Sequence, residues 1–297
     1  MEAHFQRDTD QVIEICYLGV ENMPSRDEGL FGCICDGRVV VGGGKEDSTD
    51  VFELIRGGKW KTLPSRNISR TNTASCYINH HLFVTGGCIT YTDLHREKQG
   101  YISDHIEILE ISNNHTGDHW TTCSSKLPFE VSDHTINSFN NQLLMIGGTW
   151  GSSRYDNYSG PHSNEVWLGE VEHKVNYLKN LVETSIVWKK LNSMNEARKK
   201  HFSIVVDRKV YVFGGEMGDK ANYNVEIFDG ENWEIGPKCP FHLNSYNAQA
   251  GLDDKKRIII VSENHGIIVY NTQTGNMNAN AEFRMKDDRN LYASLFL

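Results

Sequence analysis

The sequence predicts an all-β fold built from repeated four-stranded units. One observation is that apolar runs end in paired glycines at Gly42-Gly43, Gly86-Gly87, Gly147-Gly148 and Gly214-Gly215. Another is that a tryptophan opens a later apolar run after each pair, at Trp60, Trp120, Trp188 and Trp233. No segment keeps apolar residues at the i, i+3, i+4, i+7 spacing of a helix over three turns, so a helical fold is excluded.

Each glycine pair occupies the same place within its unit. A strand-like run precedes the one that ends in glycines, as in GLFGCICDG at 29–37, and a third follows, as in DVFELI at 50–55. Short runs rich in β-branched and aromatic residues between turn residues are typical of strands. A fifth unit replaces the glycines by Ser262-Glu263 and has no tryptophan. The units occupy approximately 25–65, 66–128, 129–194, 195–240 and 241–283.

Composition narrows the classes of function. The chain is 38% hydrophobic and 23% charged, as expected of a globular protein with a buried core. Its formal net charge of -9 argues against nucleic acid as a partner, since phosphate binding needs a basic surface. The sequence shows no export signal and no apolar run near the roughly 18 residues of a membrane span. We therefore expect a protein of the cytoplasm or nucleus that binds neither nucleic acid nor membrane.

The repeated unit resembles the kelch repeat, a four-stranded unit with a period near 50 residues. Glycine suits the crowded axis of such a fold, because it lacks a side chain and adopts backbone angles closed to other residues. The resemblance implies one six-bladed kelch β-propeller over residues 1–297. Its last blade is split between residues 1–24 and 284–297, since the C-terminal DDRNLYASLFL matches the first strand of a unit.

An arginine recurs sixteen positions before the first glycine of three pairs, at Arg26, Arg70 and Arg198. Arg289 matches this position in the C-terminal fragment, whereas Val131 and Ser245-Tyr246 interrupt the series. Arginines around one mouth of the propeller predict a receptor for carboxylates, with Tyr246 as an additional polar contact. The alternative is a structural role, in which the arginine side chains bond to loop carbonyls.

Two long loops follow Gly87 and Gly148 and should share a face with the arginines. Rigid aromatic side chains and arginine in loops are typical of protein-binding surfaces. The alternative is that these loops fold over and bury their own aromatic side chains. The candidate contacts in these loops are Tyr91, Trp150, Arg154 and Tyr155.

No motif in the sequence indicates catalysis, a metal site or a cofactor, since the 13 histidines form no HExxH or His/Cys cluster. The resemblance implies a non-catalytic module similar to the substrate-recognition domain of kelch-like ubiquitin-ligase adaptors. Such a module would bind a partner protein or an acidic peptide on its Arg- and aromatic-lined face, with a ubiquitin-ligase scaffold as a further partner by analogy. Two alternatives stay open: a kelch-fold enzyme such as a sugar-acid epimerase, and an actin-binding kelch protein.

Overall fold

The structure of the protein is a computed structural model. It describes residues 3–5, 13–15, 29–44, 48–92, 98–112, 115–151, 160–176, 181–246, 248–262 and 264–280. Within these ranges the regular structure consists of β-strands, as the sequence predicts. No helix in the described part of the chain is long and apolar enough to cross a membrane.

The described chain begins with a small antiparallel pair, β1 (Ala3–Phe5) and β2 (Ile13–Ile15). Blades I to V follow, each an antiparallel sheet around four main strands. Blade I contains β3 (Leu30–Cys35), β4 (Arg38–Gly43), β5 (Val51–Ile55) and β6 (Lys59–Thr62). Blade II contains β7 (Ala74–Ile78), β8 (His81–Thr85), a hairpin of β9 (Cys88–Thr92) and β10 (Lys98–Ile102), then β11 (Ile106–Ser112), β12 (His115–Thr116) and β13 (Thr121–Thr122).

The later blades repeat this order with different insertions. Blade III contains β14 (Val131–Ser132), β15 (Thr135–Phe139), β16 (Gln142–Ile146), β17 (Thr149–Trp150), β18 (Val166–Asn176) and β19 (Leu181–Lys190). Blade IV contains β20 (Phe202–Val206), β21 (Lys209–Phe213), β22 (Glu216–Met217), β23 (Lys220–Ala221), β24 (Glu226–Phe228) and β25 (Trp233–Ile235). Blade V contains β26 (Ala248–Leu252), β27 (Ile258–Ser262), β28 (Gly266–Tyr270) and β29 (Met277–Asn280).

The first strands of successive blades contact one another, β3 with β7, β7 with β15, β15 with β20 and β20 with β26. This arrangement places them around a common axis, as in a propeller. Successive side chains of a strand face opposite sides of a sheet, so each blade packs on both of its neighbours. Val40 of blade I packs with Leu82 of blade II, and Ile260 of blade V packs with Phe213 of blade IV. The hydrophobic core is therefore a series of layers between blades.

The tryptophans tie each blade to the connection that leads into it. The indole N–H groups of Trp120, Trp188 and Trp233 donate to the carbonyls of Pro64 (2.8 Å), Lys126 (3.0 Å) and Asn192 (2.9 Å). A large apolar ring thus covers the outer part of the blade while its polar edge stays hydrogen-bonded.

The paired glycines are required by close approach to the next blade. Gly214 has φ of +63°, and a Cβ there would lie 2.0 Å from the carbonyl oxygen of Leu243. The N–H of Gly215 donates to that same oxygen at 2.8 Å. Gly86-Gly87 meets Val131 in the same way, since a Cβ on Gly86 would lie 2.3 Å from its carbonyl oxygen.

The number of blades differs from the expected six. The described residues form five blades. The C-terminal part of the expected split blade, 284–297, lies outside the described residues, and so does 1–24 apart from β1 and β2. The all-β propeller is therefore confirmed, while closure by a sixth blade stays a prediction.

Candidate functional site

A ring of backbone hydrogen bonds joins the connections that precede the first strands. The N–H of Asn72 donates to Gly29 O (3.1 Å), Asp133 to Asn72 (3.2 Å), Lys200 to Asp133 (3.0 Å) and Ser245 to Lys200 (2.6 Å). Asn72, Asp133 and Lys200 all have φ of +54°, a region that non-glycine residues rarely occupy. These bonds hold one blade to the next around one end of the axis, which we call the mouth.

The loops that follow the glycine pairs lie on the same face as the mouth. In each of blades II to IV a residue of the loop pairs with a residue of the preceding connection, and we call these the anchor pairs: Thr71 with Cys88, Ser132 with Thr149, and Lys199 with Glu216. The two sets of loops therefore share a face, as the sequence predicts. We call this surface the mouth face; its described residues are those of the connections and of the loop segments 89–92, 98–102, 150–151, 160–162 and 217–221.

The structure corrects the expectation that Arg70 and Arg198 line the mouth as ligand receptors. Both side chains are 0% exposed. Arg70 Nη1 donates to the carbonyls of Gly86 (2.7 Å) and His105 (2.8 Å), and Nη2 pairs with Glu107 Oε2 at 2.7 Å. Burial lowers the pKa of Arg70, an effect that Glu107 opposes. The arginine points into its blade, where its guanidinium bonds to the carbonyl of Gly86 in the glycine turn and to the buried Glu107.

Arg198 repeats this arrangement in blade IV. It donates to the carbonyls of Gly214 (3.2 Å) and Asn224 (2.9 Å) and pairs with Glu226 at 2.5 Å. Each glutamate also accepts from backbone N–H groups of the connection, as Glu107 does from Asn67 at 2.6 Å and Glu226 from Asn195 at 2.7 Å. The alternative raised from the sequence, a structural arginine, therefore describes both residues.

The sequence carried a signal for this pair. Glu107 lies opposite Val84 and Glu226 opposite Val212, each two positions before a first glycine. Blade III has Trp167 opposite Met145 at this position, and it also lacks the arginine, with Val131 in its place. Arginine and glutamate are thus present or absent together, which identifies them as partners.

A cavity of about 180 Å³ opens on the axis beneath the ring of backbone bonds. It is lined by residues from the first strands and connections of all five described blades, among them Asp133 and Tyr246. The Tyr246 hydroxyl donates to Asp133 Oδ1 at 3.1 Å, and Lys200 Nζ lies 4.8 Å from the centroid of the Tyr246 ring. Tyr246 therefore lies at the mouth, but its polar neighbours are a carboxylate and a lysine rather than arginines. Continuing the arginine count by two positions, to Asn72, Asp133 and Lys200, would have found these residues in the sequence.

The basic run that follows Arg198 adds no net basic patch. Lys199 and Lys200 both lie near Glu216, with N–O distances of 3.8 and 3.4 Å. His201 is buried, and burial lowers its pKa to about 3, so it is neutral at pH 7. His134 has the same environment and a pKa of about 3. In the described ranges, no group of three or more His, Cys, Asp or Glu side chains is arranged to hold a metal ion.

Aromatic side chains of the two long loops are exposed. Tyr91 is 50% exposed and lies 6.3 Å from Tyr101, measured between ring centroids. Trp150 is 45% exposed and packs edge-on against Phe129, which in turn packs on Trp167. Phe129 lies in the connection before blade III, outside the two loops in which the sequence predicts contacts. The other candidate residues, Arg26, Arg154, Tyr155 and Arg289, lie outside the described residues.

Comparisons with known proteins agree with this architecture. Residues 197–240, which comprise blade IV and its connections, match the Kelch motif family. An F-box/kelch-repeat protein of Arabidopsis thaliana is 30% identical over 102 residues, which are 31% of this chain and 26% of that protein. A putative F-box/kelch-repeat protein of the same plant is 28% identical over 114 residues, 37% of this chain and 30% of that protein.

The matched segments thus span less than a third of either relative's length. Among solved structures, that of YjhT covers 88% of this chain and 99% of its own, with 11% identity and a TM-score of 0.48. The Kelch motif in blade IV, together with four four-stranded sheets and one five-stranded sheet, supports the resemblance drawn from the sequence: the described chain is a β-propeller, and its blade IV contains a Kelch motif.

Proposed function

We propose that the protein is a non-catalytic protein-interaction module that binds a partner protein on its mouth face. The observation that carries this proposal is the set of exposed aromatic side chains held on anchored loops. The finer role, a substrate-recognition domain of a ubiquitin-ligase adaptor, rests on the resemblance to kelch-like adaptors. The names of the plant relatives, which join an F-box to kelch repeats, support it.

Exposed apolar side chains cluster on this face. Tyr91, Tyr101, Trp150 and Met217 are all large, apolar and more than a third exposed, and all lie in loops after glycine pairs. Large aromatic groups give contact area at a low cost in conformational entropy, and tryptophan and tyrosine are enriched at binding hot spots. The exposure of Tyr91 and Trp150 argues against the alternative in which the loops bury their own aromatic residues.

The loops are also held firmly enough to present these groups. Each leaves its glycine pair through an anchor pair and returns through a second bond, from the N–H of Ser103, Ser163 or Asn222 to the carbonyl of the second glycine. These return bonds measure 2.8, 2.8 and 2.9 Å. A loop fixed at both ends loses less entropy on binding than a free one, which favours affinity.

We infer further that residues 1–24 and 284–297 form the sixth blade. Ile259, Ile267 and Val269 lie on the face of blade V that is turned away from blade IV, and all are buried. Val39 and Val41 are likewise buried on the face of blade I turned away from blade II. Two apolar faces on either side of one gap fit a blade that packs on both, and closure removes the exposed sheet edges of an open array.

A matched pair of variants tests the binding proposal. Partners captured by chemical cross-linking to the full chain are quantified for wild type, Trp150→Ala and Val187→Ala. Val187 is 56% exposed but lies on the outer strand β19, away from the mouth face. We expect Trp150→Ala to lower the captured amount about tenfold or more, since truncating a hot-spot residue costs about 2 kcal/mol or more. Equal capture by the two variants would contradict a binding site on the mouth face.

A further inference from the structure

The axial cavity contains an acidic side chain, whereas the sequence predicts arginines around the mouth. Of the described residues that line it, Asp133 alone carries a formal charge. The two lining histidines, His134 and His201, are neutral at pH 7. Lys199 and Lys200 lie near but do not line the cavity, and both are close to Glu216. Asp133 is therefore the charged side chain that a ligand in the cavity would meet directly, with Lys199, Lys200 and Glu216 further out.

That carboxylate has few partners. Asp133 accepts a hydrogen bond from the Tyr246 hydroxyl at 3.1 Å and a longer one from Ser132 Oγ at 3.4 Å. Among the described residues none forms an ion pair with it, and burial raises its pKa despite the nearby lysines. An ionised carboxylate can accept about four hydrogen bonds. Asp133 thus retains free acceptor positions towards the cavity.

Two hydroxyls in the wall around Asp133 already donate their protons to other groups. Ser75 Oγ gives its proton to Gly32 O at 3.0 Å, and Ser203 Oγ gives its proton to Thr135 Oγ1 at 2.7 Å. Each hydroxyl has only one proton, so both present lone pairs to any further group. The Tyr246 ring already holds the ammonium group of Lys200 at 4.8 Å, which shows that the ring is placed to contact a cation.

We propose that the axial cavity takes a cationic side chain, an arginine or a lysine, that the bound partner inserts along the axis onto Asp133 and Tyr246. This inference rests on the proposed function and names the chemistry of the partner. The cavity of about 180 Å³ has room for one long side chain. The net charge of -9 favours the approach of a basic partner.

The same observations withdraw two of the four arginines on which the expectation of an acidic partner rested, while Arg26 and Arg289 lie outside the described residues. That expectation depended on arginines around the mouth, and Arg70 and Arg198 are buried in ion pairs with Glu107 and Glu226. A carboxylate inserted into the cavity would meet Asp133, and like charges in a partly desolvated site repel. The geometry thus reverses the sign of the predicted ligand.

Two short peptides test the proposal on the full chain by calorimetric titration. One is a Gly/Ser peptide with a single central arginine, and the other has citrulline in its place, which keeps the shape and removes the charge. We expect the arginine peptide to bind about tenfold or more tightly, and Asp133→Asn to abolish that preference. Asp219→Asn, which removes one exposed carboxylate of the mouth face outside the cavity, should change binding by less than about twofold.

Gln249→Glu adds a carboxylate to the cavity wall and keeps the test decisive if Asp133→Asn does not fold. It should strengthen binding of the arginine peptide and leave the citrulline peptide unchanged. Equal binding of the two peptides to wild type, or stronger binding of a glutamate peptide, would overturn the inference. Neither outcome touches the proposed function, which the Trp150→Ala and Val187→Ala pair decides separately.

Discussion

Blades II and IV contain a buried arginine–glutamate pair, and blade III, between them, has an apolar pair at the same positions. Arg70 with Glu107 and Arg198 with Glu226 fill the space behind the glycine turns. In blade III, Val131 and Trp167 do so, and Trp167 extends into the aromatic cluster with Phe129 and Trp150. Both members change together because one buried charge without its partner is far less stable than either complete pair.

This difference teaches that the recurrent arginine is one half of a structural unit. In blades II and IV this pair supplements the backbone anchor pair, whereas blade III has a backbone anchor pair, extended by Val131 opposite Trp150, and no charged pair. The blade that dispenses with charge is also the one that exposes Trp150. A departure from the repeat therefore coincides with the surface proposed for binding.

The largest expected effect comes from breaking one pair. Arg198→Ala leaves Glu226 buried without a counter-charge, and we expect the free energy of unfolding to fall by about 3–5 kcal/mol. Chemical denaturation of the full chain, followed by tryptophan fluorescence, measures this change. Lys199 is the next residue and is partly exposed. The Lys199→Ala variant should lose less than about 1 kcal/mol of its free energy of unfolding.

The double variant Arg198→Met with Glu226→Leu copies the apolar solution of blade III. It should be more stable than either single variant, because no buried charge is left unpaired. A double variant that loses as much stability as the two single variants combined would show that the residues act independently.

The second largest effect is a pH dependence of stability. It comes from a position of the repeat where blades III and IV have a buried histidine and blade II has none. His134 and His201 have pKa values of about 3, below the unfolded value near 6.5, whereas blade II has Thr73 there. Below pH 6.5 the two imidazoles bind protons in the unfolded chain but stay neutral in the folded one. The free energy of unfolding that is present above pH 6.5 is therefore lost as the pH falls towards 3. At pH 5 each histidine should lower stability by about 2 kcal/mol. Replacing His201 by Thr, as in blade II, should reduce the slope of stability against pH between 6.5 and 5 by about half.

The smallest effect on stability should come from removing the indole hydrogen bond of a tryptophan. It should be equal in blades III and IV, although blade IV has the arginine–glutamate pair and blade III has an apolar pair. Trp188→Phe and Trp233→Phe remove the indole bonds to Lys126 and Asn192, and each should cost about 1 kcal/mol. Thermal melting of the two variants side by side gives the comparison. If one variant melts like wild type while the other does not, the tryptophan bond is not shared equally between blades.

Much of the fold was accessible from the sequence because its signals are periodic. The glycine pairs mark where backbone meets backbone across blades, as at Gly214 and Leu243, and no side chain can replace them. The regular spacing of the glycine pairs also predicts where the connections between blades lie, but it does not predict the direction in which their side chains point. Arg70 was assigned to the mouth although its partner, Glu107, lay in the next strand but one of the same blade. Such a pair appears only when two positions of the repeat are compared together.

The candidate site was harder to predict because it depends on departures from the repeat. Asp133 and Tyr246 come from blades III and V, and only the arrangement of the blades around a common axis brings the hydroxyl within 3.1 Å of the carboxylate. The exposure of Trp150 follows from its packing beside Phe129, which no periodic signal marks. Residues that differ from unit to unit cannot be aligned by the repeat, so their neighbours can be identified only in the three-dimensional structure.

The anchor pairs have a consequence for how this scaffold tolerates change. Segments 89–102, 150–162 and 217–221 differ in length, yet each leaves and returns through equivalent backbone bonds. Lengthening a segment between fixed ends costs only closure entropy, about 0.6 kcal/mol for each doubling. Natural variation or laboratory grafting can therefore replace one of these segments by another of different length or sequence without disturbing the four-stranded sheets of the blades.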